Sequence, residues 1–341
     1  MFRLLAKLCI GAAALSTALC SCNRSTGFVR IDGNAQGTYY SVQYYDSQGR
    51  NFRYQIDSLL QSFDLSASLW VEKSTLNKLN GGDSVLDDIT TSLLEKSLLM
   101  TRYTNGAFDC RVGKLVNAWG FGAKCAIYPD SATVDSLLNI CRAEMGMRYS
   151  NNGGGKNTLW RSDRRTEIDF NAIAQGFSVD LLSDFLQSKG ISNFLIDIGG
   201  EVIARGCKKD GRPWIVGIEK PAADRYSTQK VLEAVALRDA ALVTSGNYRK
   251  YYEQDGIRYS HTIDPLTGHP VNHSLLSVTV VDSTAWRADA LATAFMVMGL
   301  DSALRFIDMH PEINKVFFIY DENGQYKSCA TREMENMIAG K

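Results

Sequence analysis

The sequence predicts an α+β fold, and three observations carry that reading. From Val42 onward, apolar segments of strand and helix length alternate with turn signals, with no Pro-rich linker or charge run between them. The alternation does not fall into regular βαβ units, which argues against a doubly wound parallel sheet. The chain has 341 residues, 45% hydrophobic and 22% charged, which suffices for a substantial core, and it contains no internal repeat.

The elements can be justified in order. Arg3 and Lys7 precede the apolar stretch Leu8 to Leu19, which is the length of a signal-peptide core and too short to span a membrane comfortably. It ends in Leu19-Cys20-Ser21-Cys22, which resembles the bacterial lipobox, with Ser21 at the cleavage point and Cys22 as the lipidated residue. Cys20 would place Leu19 at the cleavage point, a poorer fit; an ordinary cleaved signal peptide or a short anchor are the alternatives. Residues 1–21 are therefore expected to be a lipoprotein signal peptide, 22–32 a lipidated tether, and 33–341 the folded domain. The segment Asn151-Asn-Gly-Gly-Gly-Lys156 reads as an exposed loop or hairpin tip. Ser178 to Lys189 has helical periodicity and stops at Gly190, and Asn193 to Ile198 reads as a strand running into Gly199-Gly200. Trp214 to Ile218, Leu242 to Thr244 and Ser277 to Val281 are further strands. The last leads into a helix from Trp286 to Met298, with Asp282 and Ser283 as candidate N-caps and Gly299 as the stop.

Charge and cysteine usage narrow the function classes. Lys plus Arg equals Asp plus Glu at 37 each, so there is no basic field for nucleic acid or anionic lipid. Beyond Cys22 the cysteines are Cys110, Cys125, Cys141, Cys207 and Cys329, with no C-x-x-C pair and no His at metal-finger spacing, so a zinc module is not expected. An odd, scattered set also argues against a disulfide framework, leaving room for one bridge at most.

Asp289 and Thr293 lie four residues apart, so one face of the last predicted helix carries both, among Ala and Met. If that face is buried, both oxygens need partners, and a hard cation is an efficient one. A solvated Asp and a Thr bonded back to its own helix is the plainer alternative. Four more clusters stand out: Asn105-Gly106-Ala107-Phe108-Asp109 with the following Val112 to Gly120; Ile168 to Phe177; Asp197-Ile198-Gly199-Gly200-Glu201; and Thr244-Ser245-Gly246-Asn247-Tyr248 ahead of His261-Thr262-Ile263-Asp264-Pro265-Leu266-Thr267-Gly268. Singly, each could be a turn. Ser245 lacks the G-x-S-x-G elbow of a serine hydrolase.

In this order the set resembles the ApbE-like flavin transferases. The matching elements are Gly37-Thr38-Tyr39, Ser68-Leu69-Trp70 with Ser74 and Asn80, and the G-A-F-D, A-x-A-Q-G, D-I-G-G-E, T-S-G-N-Y, H-T-I-D-P-x-T-G and A-D-A-L-A-T-A segments, from about residue 33 to 300. Two positions depart from the family pattern: Gln36 stands where Met is usual, and Gln175 where Lys or Glu is common.

The resemblance implies an ApbE-like fold of mixed or antiparallel sheets flanked by helices. It implies Mg²⁺-dependent transfer of FMN from FAD to a Thr hydroxyl of an exported acceptor flavoprotein, with release of AMP. FAD pyrophosphatase activity and non-catalytic flavin binding are the alternatives. The metal would be held by Asp289, Thr293 and the backbone carbonyl of Ala172. Gln36, Trp70, Ala107, Phe108, Asp109, Gln175 and Ile263 correspond to flavin-nucleotide contacts. His261 occupies the position of the catalytic His, a residue whose ordinary pKa of about 6.5 suits proton transfer near neutrality. Asp264 could orient it or fix the turn, and the turn is favoured. The expected acceptor is a flavin-carrying subunit of a respiratory ion-pumping complex or a similar exported protein. The expected location is a bacterial membrane, lipid-anchored and facing the periplasm, with the inner membrane favoured.

Overall fold

The computed structural model of the chain describes residues 27–124, 126–148, 156–221, 230–247, 251–254 and 257–339. It opens with a hairpin of β1 (Phe28–Ala35) and β2 (Thr38–Tyr45), closed by Gln36-Gly37 with φ of 54° and 74°. Two positive φ values in a two-residue loop match the right-handed twist of the strands. Residues 28–32, expected to be tether, are thus part of a sheet. Ile31 points into the core at 1% exposure, and a single inward residue is too weak a periodic signal to mark a strand in sequence. Cys22 and the whole leader lie outside the described residues.

A helical block follows: α1 (Arg53–Ala67), α2 (Thr75–Asn80), α3 (Asp88–Tyr103), α4 (Gly113–Ala118) and α5 (Ser131–Cys141). Local capping explains several of these starts. Ser74 caps α2, Asp87 forms a capping box with Thr90 at α3, and Asp130 caps α5. A short ribbon, β3 (Met145–Arg148) and β4 (Thr158–Arg161), brackets the Asn151 segment, most of which lies outside the described residues. Then come α6 (Ala174–Ser188), β5 (Phe194–Ile198), β6 (Glu201–Arg205), the ribbon β7 (Trp214–Glu219) with β8 (Val231–Leu237), and β9 (Ala240–Gly246). A further ribbon, β10 (Tyr251–Gln254) and β11 (Ile257–Ser260), precedes β12 (Leu275–Asp282), α7 (Ala285–Met298) and α8 (Leu300–Met309). The chain closes with β13 (Val316–Glu322), β14 (Gln325–Ala330) and α9 (Arg332–Glu335).

Eight strands form one sheet in the order β1-β2-β5-β6-β9-β12-β13-β14, every neighbouring pair antiparallel. This is the α+β architecture expected, organised as one unit around one sheet. Its central strands are covered on both faces, so that β9 is buried from Ala240 to Val243 and β12 from Ser277 to Val281, the polar Ser277 and Thr279 included. One face carries the main core with α1, α3, α6, α7 and α8; the other packs on Trp214, Ile218, Val235 and Leu237 of the β7–β8 ribbon with Met334 and Ile338. Leu115, Trp119, Val134, Leu138 and Cys141 form a smaller core with Ile263. Cys110, Cys141, Cys207 and Cys329 are free thiols.

Two helix boundaries differ from the sequence reading. α6 begins at Ala174, four residues before Ser178. Asp282 and Ser283 do not cap α7: Asp282 ends β12 and pairs with Arg287 at 2.6 Å, and the N-cap is Thr284, whose side chain makes no capping bond. The free amides of Ala285 and Trp286 instead donate to the two carboxylate oxygens of Asp180 on α6, at 3.0 and 2.8 Å. α7 does stop at Gly299, at φ 74°.

Candidate functional site

Asp289 is the one acid in α7, a helix buried almost all round, and is itself 5% exposed. Its Oδ2 accepts the amide of Gly176, in the first turn of α6, at 3.0 Å. Burial pushes its carboxyl well above the usual carboxylate range, with the neighbouring Asp180 carboxylate adding to the rise. One turn on, the Thr293 hydroxyl lies 3.3 Å from Ser245 Oγ on β9. The Ala172 carbonyl, just before α6, accepts no hydrogen bond among the described residues, because Gly176, whose amide would reach it in a longer helix, donates to Asp289. A buried, under-partnered carboxylate, a hydroxyl and an unused carbonyl are all hard oxygen donors, and they suit Mg²⁺, which takes few protein ligands. Among the described residues no group of three or more His, Cys, Asp or Glu could hold a metal, so a cation here would need the hydroxyl and carbonyl.

The two glutamines meet at the same end of α6. Gln175 Nε2 donates to the Ile198 carbonyl at 2.7 Å, lying so close over Gly199 that a Cβ there would sit 2.3 Å from it. With φ 63° as well, Gly199 is required for this approach. Ser178 Oγ contacts both side chains' neighbourhoods, donating to the Gln175 carbonyl at 2.8 Å and to Gln36 Oε1 at 3.2 Å. Gln36 Nε2 is buried with no hydrogen-bond partner among the described residues, a donor left for a ligand atom.

Trp70 is 69% exposed on the loop after α1. Asn77 Nδ2 clamps that loop through the carbonyls of Leu69 (3.1 Å) and Val71 (2.8 Å). Asn80, at the end of α2, bonds the backbone of Ile168 in both directions, at 2.9 and 2.8 Å. Asp169 in turn donates its amide to the Cys110 carbonyl at 2.7 Å, so the Trp70 loop, the G-A-F-D segment and the approach to α6 are tied together. A cavity of about 180 Å³ opens beside them, lined by residues including Leu69, Asn77, Asn80, Lys124 and Glu167. A cleft of about 570 Å³ around His273, Asp301 and Arg305 contains none of the motif residues.

Within the G-A-F-D segment the structure narrows the expected contacts. Phe108 is 2% exposed in the main core and Ala107 is also buried, while Asp109 is held by Arg111 Nη2 at 2.5 Å. The ring of Phe108 is therefore core, and the segment offers a ligand its backbone. Ile263 likewise buries its side chain against α4 and α5.

His261 is half-buried, with its ring centroid 6.3 Å from that of Phe121 in an edge-on arrangement. Its neighbour Thr262 donates to Asn247 Oδ1 at 2.7 Å, joining the H-T-I-D-P loop to the T-S-G-N strand end that carries Ser245. Asp264 accepts from the Leu266 amide (2.8 Å) and the Thr267 hydroxyl (3.0 Å), and thus fixes the turn. Trp119 Nε1 donates to the Gly268 carbonyl at 2.8 Å, backing the loop from α4.

Comparison with known proteins places this arrangement. Residues 36–317 match the ApbE family. The chain belongs to the ApbE family. A curated relative from Vibrio cholerae, named FAD:protein FMN transferase, is 38% identical over 94% of this chain and 96% of its own length. A solved flavin transferase ApbE from Vibrio cholerae superposes with a TM-score of 0.77 at 32% identity, covering 91% of this chain and 99% of that one. The apo flavinyl transferase ApbE of Pseudomonas stutzeri gives 0.79 at 29% identity, covering 92% and 98%. Membership makes this chain a transferase.

Within this ApbE-family chain, sequence reading passed over Asp180 and the contact of Ser245 with Thr293. Both depend on partners far along the chain, Ala285 and Trp286 for Asp180 and Thr293 for Ser245, and no local spacing announces them.

Proposed function

We propose that the protein transfers FMN from FAD to a Thr hydroxyl of an exported acceptor protein, in a Mg²⁺-dependent reaction that releases AMP. The observation that carries the reading is the buried Asp289 carboxylate with Thr293 and the unused Ala172 carbonyl, on the same end of α6 as the unpaired Gln36 donor. Asp289, Thr293 and Ala172 would hold the Mg²⁺, which when bound supplies positive charge to offset that of the FAD pyrophosphate. Trp70 offers a face for a planar ring, with Gln36, Gln175 and the backbone around Ala107 to Asp109 fixing polar groups of the nucleotide. The acceptor oxygen attacks the FMN-side phosphorus; the bond from that phosphorus to the bridging oxygen breaks, and the bridging oxygen leaves with AMP. His261 accepts the proton of the attacking hydroxyl.

The leader fits this placement: lipidation at Cys22 would hold the enzyme on the outer face of the inner membrane, where exported acceptors such as a flavin-carrying subunit of a respiratory ion-pumping complex reside. Incubation with FAD, Mg²⁺ and a candidate acceptor, read by intact-protein mass spectrometry, tests the reading. Covalent FMN on the acceptor is expected. Free FMN and AMP with an unmodified acceptor would instead mark a pyrophosphatase.

A further inference from the structure

α6 and α7 lack side-chain caps of their own and cap each other. Asp180 of α6 takes the first two amides of α7, and Asp289 of α7 takes the Gly176 amide in the first turn of α6. The arrangement is reciprocal in spacing: Asp180 lies four residues after Gly176, and Asp289 four residues after Ala285. At the crossing the helices touch through Gly176, where a Cβ would lie 2.4 Å from the Ala285 carbonyl oxygen and 2.9 Å from Asp289 Cβ. Orphan amides at helix starts carry partial positive charge, so each carboxylate is matched to what it meets.

We infer that Asp180 is a positioning residue for the cation site, locking α7 against α6 so that Asp289 and Thr293 are held in register with the Ala172 carbonyl before any ligand binds. This rests on the metal reading proposed above. Asp180 spends both oxygens on α7. Asp289 spends only Oδ2 on α6, which leaves Oδ1 for a cation. Without Asp180, the start of α7 loses two amide partners, and Asp289, one turn further on, loses its fixed distance to Ala172. Ligand-orienting groups of this kind typically change metal affinity by about 10–100-fold.

The test is Mn²⁺ binding, used in place of Mg²⁺ and followed by electron paramagnetic resonance on the FAD-loaded protein without an acceptor, alongside thermal melting and FAD affinity. Asp180→Ala should weaken Mn²⁺ binding by about tenfold or more while FAD affinity stays near that of the unmodified protein. High Mg²⁺ should restore most of its transfer rate. Asp180→Asn, which keeps the shape and one accepting oxygen, should fall between the two and serves if the Ala variant does not fold. Wild-type Mn²⁺ affinity in these variants, with only a lower melting temperature, would reduce Asp180 to a helix cap and overturn the proposal. Failure of the unmodified protein itself to bind Mn²⁺ would remove the metal reading, and the positioning role with it.

Discussion

His261 is the residue on which the proposed chemistry turns. Its loop is fixed from three sides, by Asp264 within the turn, by Trp119 through Gly268, and by Asn247 through Thr262, so the imidazole sits on a defined support. Losing a general base costs about 10²–10⁴-fold in rate. His261→Ala should therefore transfer FMN that much more slowly while binding FAD almost normally, since the flavin contacts are assigned elsewhere. Single-turnover transfer and FAD titration on the same preparation check this. A normal rate would make His261 a turn residue only, and Asp109, already paired with Arg111, would be a poor replacement. At this scale spacing was informative for Asp289 and Thr293, which do share one helix, with Asp289 buried and Thr293 beside Ser245. It could not tell side chain from backbone at Phe108, because which way the ring points is decided by the core that packs around it.

Among elements, the turn from β2 into α1 offers a clean stability test. Asp46 accepts from the amides of Gln48 and Arg50 and from the Arg50 guanidinium at 2.7 Å, while Arg50 also reaches the Lys189 carbonyl at the end of α6. The Arg50 hydrogen bonds hold the Asp46 carboxyl down to about 2, below its ordinary 3.8. A depressed folded pKa contributes stability that is complete above the unfolded value and is lost as pH falls through the folded one. Asp46→Asn should thus cost about 1 kcal/mol near neutrality, a modest figure because solvent screens Arg50. The difference from the unmodified protein should shrink between about pH 4 and pH 2. Denaturant melts across that range measure it, and a pH-independent gap would contradict the assignment. Element ends were legible where the signal is local: Gly299 stops α7 as composition suggested. The start of α7 was not, because its cap is Asp180, reached only once the sheet has brought α6 and α7 together. The first strand escaped notice for a similar reason, since β1 owes its form to pairing with β2 more than to its own pattern.

For the whole molecule, one antiparallel sheet organises the folded unit, and the proposed lipid anchor belongs to the leader that precedes it. The order of the motifs along the chain was enough to suggest the fold, and long-range bonds join several of them, Asp289 to Gly176, Thr293 to Ser245 and Thr262 to Asn247. If Cys22 carries the lipid, Cys22→Ala should appear in the soluble fraction of lysed cells, and Cys20→Ala should remain with the membrane. Lipid on the Cys22→Ala protein would place the anchor elsewhere. The central claim is that the pyrophosphate of FAD is broken by a protein hydroxyl. It is tested most directly by measuring AMP released against FMN bound covalently to acceptor, in a single reaction with Mg²⁺ and limiting acceptor. Transfer predicts one AMP for each FMN attached, with release stopping when the acceptor is exhausted; AMP that continues to accumulate with free FMN, at a rate indifferent to the acceptor, would contradict it.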